Sequence, residues 1–319
     1  MRLIEFSTHF PTEESCEIRL REIREKEGVV CRKCGNHKQY WNKSKKCWVC
    51  SKCHHETTLT AGTVIENSKL PLLYWFYAIH LLTSTKKSFS ALEIKRQLGH
   101  KRYQPIWEML HKLRSVMGQR DNRYQLAGMV EIDDGFFSTE TEEDDKDDKK
   151  KRGKGSQSKT AVLVMAESTP CEGKSTKKHT CNKAVGHIKM VVLPDFKAET
   201  AKEIVSRNIK SESEITSDAS KSYVRIKEVV ENHSFQVIKK DEIGKVLPWV
   251  HITISNAKRQ LLDTYHCIQP DFLQNYLNEF CYMFNRRYFA ANTFDRLLLA
   301  AASYKPTFTH RSYHRATYG

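Results

Sequence analysis

The residues best suited to chemistry fall in three groups, and the first is a set of cysteines. Cys31-x2-Cys34 and Cys50-x2-Cys53 stand fifteen residues apart. Each turn presents two thiolates toward one point, and two turns complete a tetrahedron around Zn2+ at about 2.3 Å per Zn–S bond. Cys47-x2-Cys50 is a competing pairing. Cys50 with Cys53 is preferred because Cys53 runs into polar His54-His55 and a strand, which leaves Cys47 free or nearby. Four thiolates close the coordination sphere, so such a metal is structural. The second group is acidic. Asp133 ends an apolar strand beside Asp134, and Asp218 follows the short strand-like run Glu214 to Ser217. Carboxylates at strand ends of an α/β sheet point into a crevice, where two of them can bridge Mg2+ ions about 3.5–4 Å apart for phosphodiester chemistry. Aspartates of ordinary turns have the same appearance. The third group lies in Trp249 to Arg259. His251 and Lys258 are seven apart and share a helix face, and Asn256 is the other polar candidate. His and Asn can ligate metals, while Lys258 and Arg259 suit a phosphate.

These groups need a frame. Thr12 to Lys26 reads as a helix with acids in its first turn, and Val29 to Val64 as short strands. Leu70 to Ser84 is an apolar helix. Ser88 to Leu98 and Tyr103 to Met117 are two more, split by Gly99-His100-Lys101-Arg102. Ile106, Met109, Leu110, Leu113 and Met117 fall on one face of the second. A short Gly-containing turn between two helices suits a helix-turn-helix, with Lys101, Arg102, Tyr103 and Gln104 where a recognition helix begins. A plain helical hairpin fits as well. Met129 to Phe137, Thr160 to Met165, His187 to Leu193, Glu214 to Ser217 and Phe235 to Ile238 read as strands. Ala198 to Asn208, Lys221 to Val230, Val250 to Leu262, Asp271 to Arg287 and Thr293 to Ser303 read as helices. Glu140 to Gly155 is a block of acids, then bases, expected as a solvated loop. The order predicts an α/β fold: a mixed sheet flanked by helices.

The chain has 319 residues, a net charge of +15 and 39% apolar content. The excess of Lys and Arg points to a polyanion, most simply nucleic acid. Part of it crowds the cysteine region (Arg32, Lys33, Lys38, Lys43, Lys45, Lys46, Lys52); the rest gathers at the helix-turn-helix candidate, Lys149 to Lys159, Lys258 and Arg286-Arg287. Leu70 to Leu82 is the longest apolar run, and 13 residues do not span about 30 Å of hydrocarbon. Ten cysteines are too few for a disulfide scaffold, and their clustering reads as metal binding in a reducing compartment. With no apolar leader in the first 20 residues, a cytoplasmic protein without membrane contact is expected.

The order of motifs carries a family resemblance. A four-cysteine ribbon precedes Leu70-Pro71-Leu72 with Trp75-Phe76, then Ala91-Leu92-Glu93-Ile94-Lys95-Arg96-Gln97-Leu98-Gly99. Glu131-Ile132-Asp133, Ser217-Asp218 with Tyr223, Thr264-Tyr265-His266, Tyr276 to Phe280, and Phe284-Asn285-Arg286-Arg287 follow. Over roughly Phe6 to Leu299 this resembles the bacterial insertion-sequence transposases that join an N-terminal zinc ribbon to a DDE-type, RNase-H-like domain. The resemblance implies an N-terminal helix and ribbon over 1–66, a helix-turn-helix-like region over 67–125, a catalytic domain over 126–304 and a tail over 305–319. It makes Asp133 and Asp218 the first two catalytic carboxylates. The family's third ligand is usually Glu, seven before a Lys or Arg; counting back from Lys258 reaches His251, with Asn256 the second choice. Imidazole suits Mn2+ better than Mg2+. The resemblance also implies terminal inverted repeats and target DNA as partners, cleavage followed by strand transfer, a homodimer or larger assembly on DNA, and a nucleoid-associated location. A regulator that binds DNA without cutting it, and a metal-dependent nuclease without strand transfer, are the alternatives.

Overall fold

The computed structural model describes residues 1–140, 158–170, 183–236, 246–266 and 268–308. Nearly all of the expected loop to Gly155, the basic run from Lys149, Cys171, Cys181, Cys267, the end of the strand expected to reach Ile238 and the chain from 309 lie outside the described residues. In chain order the elements are α1 (Leu3–His9), α2 (Glu13–Glu27), β1 (Gln39–Asn42), β2 (Cys47–Cys50), β3 (Glu56–Thr58), α3 (Leu72–Ser84), α4 (Ala91–Gln97), α5 (Gln104–Asp121) and β4 (Met129–Ser138). Then come β5 (Lys159–Pro170), β6 (Lys183–Val192), α6 (Ala198–Asn208), β7 (Glu214–Asp218), β8 (Asn232–Gln236), α7 (Pro248–Thr264), α8 (Pro270–Asn285) and α9 (Thr293–Ser303). They form two units: Met1–Arg120 with the chain from Tyr288 onward, and Asp121–Arg287. Among the described residues no helix is long and apolar enough to cross a membrane.

In the first unit the apolar helix α3 is buried, as its sequence predicts. Phe6 stacks on His80 at 4.4 Å, and Phe10, Phe76 and Phe294 complete an aromatic cluster. Pro71 provides no side-chain cap for α3. Glu13 supplies one from α2, accepting from Leu72 N at 2.6 Å and Leu73 N at 2.8 Å. The short helix α1 was not anticipated from the sequence. Helix α9, grouped in the sequence reading with the catalytic region, packs on α2 and α3. The ribbon is an antiparallel β1-β2-β3 sheet. Arg21 lies over the Trp41 ring at 5.5 Å and Arg24 over Trp48 at 4.9 Å, which seats α2 against it.

The second unit is a five-stranded sheet in the order β6-β5-β4-β7-β8. β4, β5 and β6 form an antiparallel meander, and β7 and β8 add in parallel. This mixed sheet with helices on both faces is the RNase-H-like α/β fold. Val162, Val164, Ile188 and Met190 face α7 and α8 through Ile254, Leu261, Leu277 and Phe280. Ile132, Leu163, Met165 and Ile215 face α6 and Tyr223. Lys221 to Val230, expected as one helix, forms two single 3-10 turns, Lys221–Tyr223 and Ile226–Glu228. Tyr223, Ile226 and Val229 pack inward at a spacing of three, the 3-10 period.

The Phe284-Asn285-Arg286-Arg287 motif closes the outer edge of β6. Asn285 accepts from Ile188 N at 2.8 Å and donates to Ile188 O at 3.0 Å. Gln274 accepts from Val192 N and donates to Met190 O. Arg287 donates to Val185 O and Gly186 O. Arg286 pairs with Asp121 at 2.7 Å and lies over the Tyr282 ring. Both arginines, counted from the sequence among the charges facing a polyanion, are therefore engaged within the unit.

At the bulge in β5, Glu167 accepts from Tyr124 Oη at 2.6 Å, Ala127 N at 3.0 Å and His187 N at 2.7 Å. A Cβ on Gly186 would collide with this carboxylate. Burial acts to raise the Glu167 carboxyl, but the His187, Tyr124 and Ala127 donors outweigh it and hold it at about 2, against an ordinary 4.5. Because the folded value lies below the unfolded one, the stabilisation is complete above pH 4.5 and is lost as pH falls toward 2. Glu167→Gln should cost on the order of 2–3 kcal/mol near neutrality and flatten the loss of stability across that acid window. Denaturation curves at stepped pH measure both effects.

Candidate active site and metal centre

The cysteines come together as their spacing predicts. The Sγ atoms of Cys31, Cys34, Cys50 and Cys53 all lie within 4.8 Å of one another, with Cys31 to Cys53 at 3.5 Å and Cys34 to Cys50 at 3.6 Å. Thiolates at about 2.3 Å from one tetrahedral ion would be about 3.8 Å apart, so the donor set fits zinc. Two tight turns aim them: Gly35 N donates to Cys31 O and His54 N to Cys50 O, with His54 in the left-handed region at φ 55. Burial acts to raise the Cys50 thiol, yet the N–H groups of Cys53 and Lys52 and the Asn36 amide hold it down to about 6. Cys47 is buried in β2 and outside the cluster, which decides between the two pairings.

The acidic site is built by strand register. β4 and β7 run parallel, with Ile132 opposite Ser217 as the last pair. Asp133 and Asp218 are the next residue on each strand, so they stand side by side, about one strand spacing of 4.7–4.9 Å apart, on the same sheet face. α7 covers that face. Glu131, two residues before Asp133 and 1% exposed, reaches its first turn and accepts from Trp249 N at 2.8 Å and Val250 N at 3.1 Å. Leu247 gives the helix no side-chain cap of its own. Gly135 lets α7 lie close: a Cβ there would be 3.3 Å from Ile254 and 3.0 Å from Phe137. These constraints set His251, in the first turn of α7, with Nδ1 at 3.6 Å from Asp133 Oδ2. Asp133 Oδ1 accepts from Asp134 N at 2.8 Å, and Asp218 Oδ1 from Ser220 N at 3.2 Å. Burial pushes the His251 imidazole below its ordinary value, while the Glu131 and Asp218 carboxylates act in the opposite sense.

The remaining candidates divide. Lys258 lies one face-repeat beyond His251, its Nζ 5.8 Å from the Phe137 ring centroid. Burial and then Lys159 lower its amine. Arg259 is exposed. Asn256 is exposed too and lies about 140° around the helix from His251, away from the aspartates. Lys101, Arg102 and Tyr103 are exposed ahead of α5, and Gln104 donates to Glu108 at 3.2 Å. From Ile106 to Gly118 that helix is buried on nearly every side, so its outward-facing residues gather at its two ends, with Lys101 to Tyr103 just ahead of it and Arg120 at its close. Sequence reasoning missed the capping role of Glu131 and the bond from Tyr223 Oη to Asp134 Oδ1, 2.6 Å. The signal for the first was an acid at i−2 from Asp133 in an apolar strand, a position that shares its face.

The ISXO2-like transposase domain family matches residues 125–285, half of the chain. The chain belongs to the ISXO2-like transposase family. The match coincides with the Asp121–Arg287 unit that carries Asp133, Asp218 and His251. Membership gives the chain a transposase role, with DNA as the partner of such proteins. No curated protein matches the chain.

Two outcomes are expected. Removing zinc with a chelator, or making Cys31→Ser, should unfold the ribbon while leaving the Asp121–Arg287 sheet intact, read as selective loss of amide hydrogen-exchange protection over 29–58. Glu131→Ala leaves two helix-end N–H groups uncapped and should cost about 2–3 kcal/mol. Glu131→Gln keeps an acceptor and should cost less; chemical denaturation compares the two.

Proposed function

We propose that this transposase binds the ends of an insertion element through its ribbon (1–66) and helix pair (67–125), and cuts and joins DNA at Asp133 and Asp218 with His251 as the third ligand. The observation that supports the reading is the β4–β7 register, whose last pair, Ile132 with Ser217, leaves Asp133 and Asp218 as the next residue on each strand, under a helix that brings His251 to 3.6 Å from Asp133. Two carboxylates and an imidazole suit Mn2+ or Mg2+, and 3.6 Å is within the span of two ligands at about 2.1 Å on one ion. Among the described residues only the cysteines place three or more donors mutually within 4.8 Å, so the acidic set is the more open of the two. Divalent ions there would supply electrostatic stabilisation to the attacking and leaving oxygens of an in-line phosphoryl transfer. The chain's own part is positional. Glu131 and Gly135 hold α7 against the strand, Asp134 N orients Asp133, and Ser220 N orients Asp218. Lys258, on the same face of α7 as His251, and Arg259, exposed beside it, would hold phosphates beyond the reacting bond. Lys101, Arg102, Tyr103 and Gln104 would meet the duplex where α5 begins, and the ribbon's lysines would add sequence-independent attraction. Two ends processed together would require a dimer or larger assembly on DNA.

The test is a cleavage and joining assay on DNA carrying the element's ends. Asp133→Asn and Asp218→Asn are expected to lower cleavage at least 100-fold while retaining DNA affinity. His251→Ala should fall by a similar factor, and His251→Glu should recover activity with a shift toward Mg2+. Asn256→Ala should behave as wild type. Equal cutting by the aspartate variants would defeat the proposal. Cleavage without joined products would reduce it to a nuclease, and end binding without cleavage in the wild type to a regulator.

A further inference from the structure

Tyr223 lies in the core of the sheet face opposite α7, 1% exposed, among Ile132, Ile215 and Ile226. Its hydroxyl donates to Asp134 Oδ1 at 2.6 Å. Asp134 is the residue after Asp133 on β4, and Tyr223 comes five residues after Asp218 at the end of β7. The bond therefore joins the exit of β7 to β4 at the point where the pairing of the two strands stops. Each side of the junction is tied to its own carboxylate. Asp134 N donates to Asp133 Oδ1 at 2.8 Å, so a movement of Asp134 moves Asp133 with it. On the other strand, Ser220 N donates to Asp218 Oδ1 at 3.2 Å and Ser222 Oγ to Phe196 O at 3.1 Å, which pins the short path from Asp218 to Tyr223. Burial first, then the carboxylates of Asp134, Asp133 and Asp218, push the phenol well above its ordinary value, so it remains a proton donor at neutral pH. Phenylalanine would fill the same apolar space; what tyrosine adds is a hydroxyl aimed at the acid beside Asp133.

We infer that Tyr223 is a positioning residue, and that its bond to Asp134 holds Asp133 and Asp218 at the separation a shared divalent-metal site requires. The inference rests on the metal reading above and is separable from it by experiment. Mn2+ binding to the zinc-loaded protein is measured by calorimetry for the wild type, Asp133→Asn, Tyr223→Phe, Asp134→Leu and the Tyr223→Phe/Asp134→Leu double variant. Asp133→Asn should abolish binding at this site. Tyr223→Phe should raise the Mn2+ dissociation constant about tenfold with DNA affinity unchanged, and its cleavage rate should recover at saturating Mn2+. In the Asp134→Leu background the tyrosine change should add nothing, because the bond is already absent. A merely structural tyrosine would lower stability without moving the metal constant. Wild-type Mn2+ affinity in Tyr223→Phe, alongside its loss in Asp133→Asn, overturns the positioning role and leaves the metal reading standing. Absence of Mn2+ binding by the wild type removes both.

Discussion

Glu131 reaches from the middle strand of the sheet to the open end of α7, and its Oε2 takes the N–H groups of Trp249 and Val250. A helix N-terminus leaves N–H groups without intrahelical partners, and its dipole favours a negative charge there. Placing that charge on β4 makes the helix's position a function of the strand's register. Asp133 is on the same strand two residues later, and His251 is in the capped turn. The distance between them thus depends on one buried carboxylate more than on the length of any loop. The first unit uses the same device, with Glu13 of α2 holding the start of α3. In both places an acid from elsewhere in the fold supplies what the local sequence, Pro71 or Leu247, does not.

What could be read from the sequence follows the range of the interactions. The cysteines were legible because two short turns and one hairpin bring them together. The strand Met129–Ser138 and the helices Ala198–Asn208 and Thr293–Ser303 were legible because their apolar periods are local. Asp133 and Asp218 were nameable as acids on strands, but Asp133 lies in the middle of β4 where the sequence suggested a strand end, and no local pattern shows that Ile132 pairs with Ser217. Which of His251 and Asn256 faces the aspartates depended on the side of α7 that meets the sheet, and that side, with Ile254 against Gly135, is the one that carries His251. The run after Asp218 misled because a spacing of three resembles a helix until Tyr223 is seen turned into the core. Charge misled most: a guanidinium committed to a backbone carbonyl reads in sequence like one waiting for a phosphate.

That last point changes the picture of the +15 charge. Arg21 and Arg24 lie on tryptophan rings, Arg32 pairs with Glu66 at 2.6 Å, and Arg286 and Arg287 are committed to α8, β6 and Asp121. Several lysines of the ribbon, and Lys101 and Arg102 ahead of α5, remain at the surface. Arginine, with its planar fork and its tolerance of partial dehydration, does structural work here, while lysine carries much of the exposed charge. Attraction to a duplex through such lysines is long-ranged and weakens with added salt.

The side chains along β6 have a consequence for assembly. A strand at the margin of a sheet ordinarily offers its free N–H and C=O groups to any other extended chain. Here Asn285, Gln274 and Arg287 occupy those groups at Ile188, Val192, Met190, Val185 and Gly186. The catalytic-type sheet is thereby sealed along this border against growth by an added strand. A second extended chain finds no free backbone partner at these positions, and a nascent chain that has folded this far no longer presents this margin as a template for aggregation.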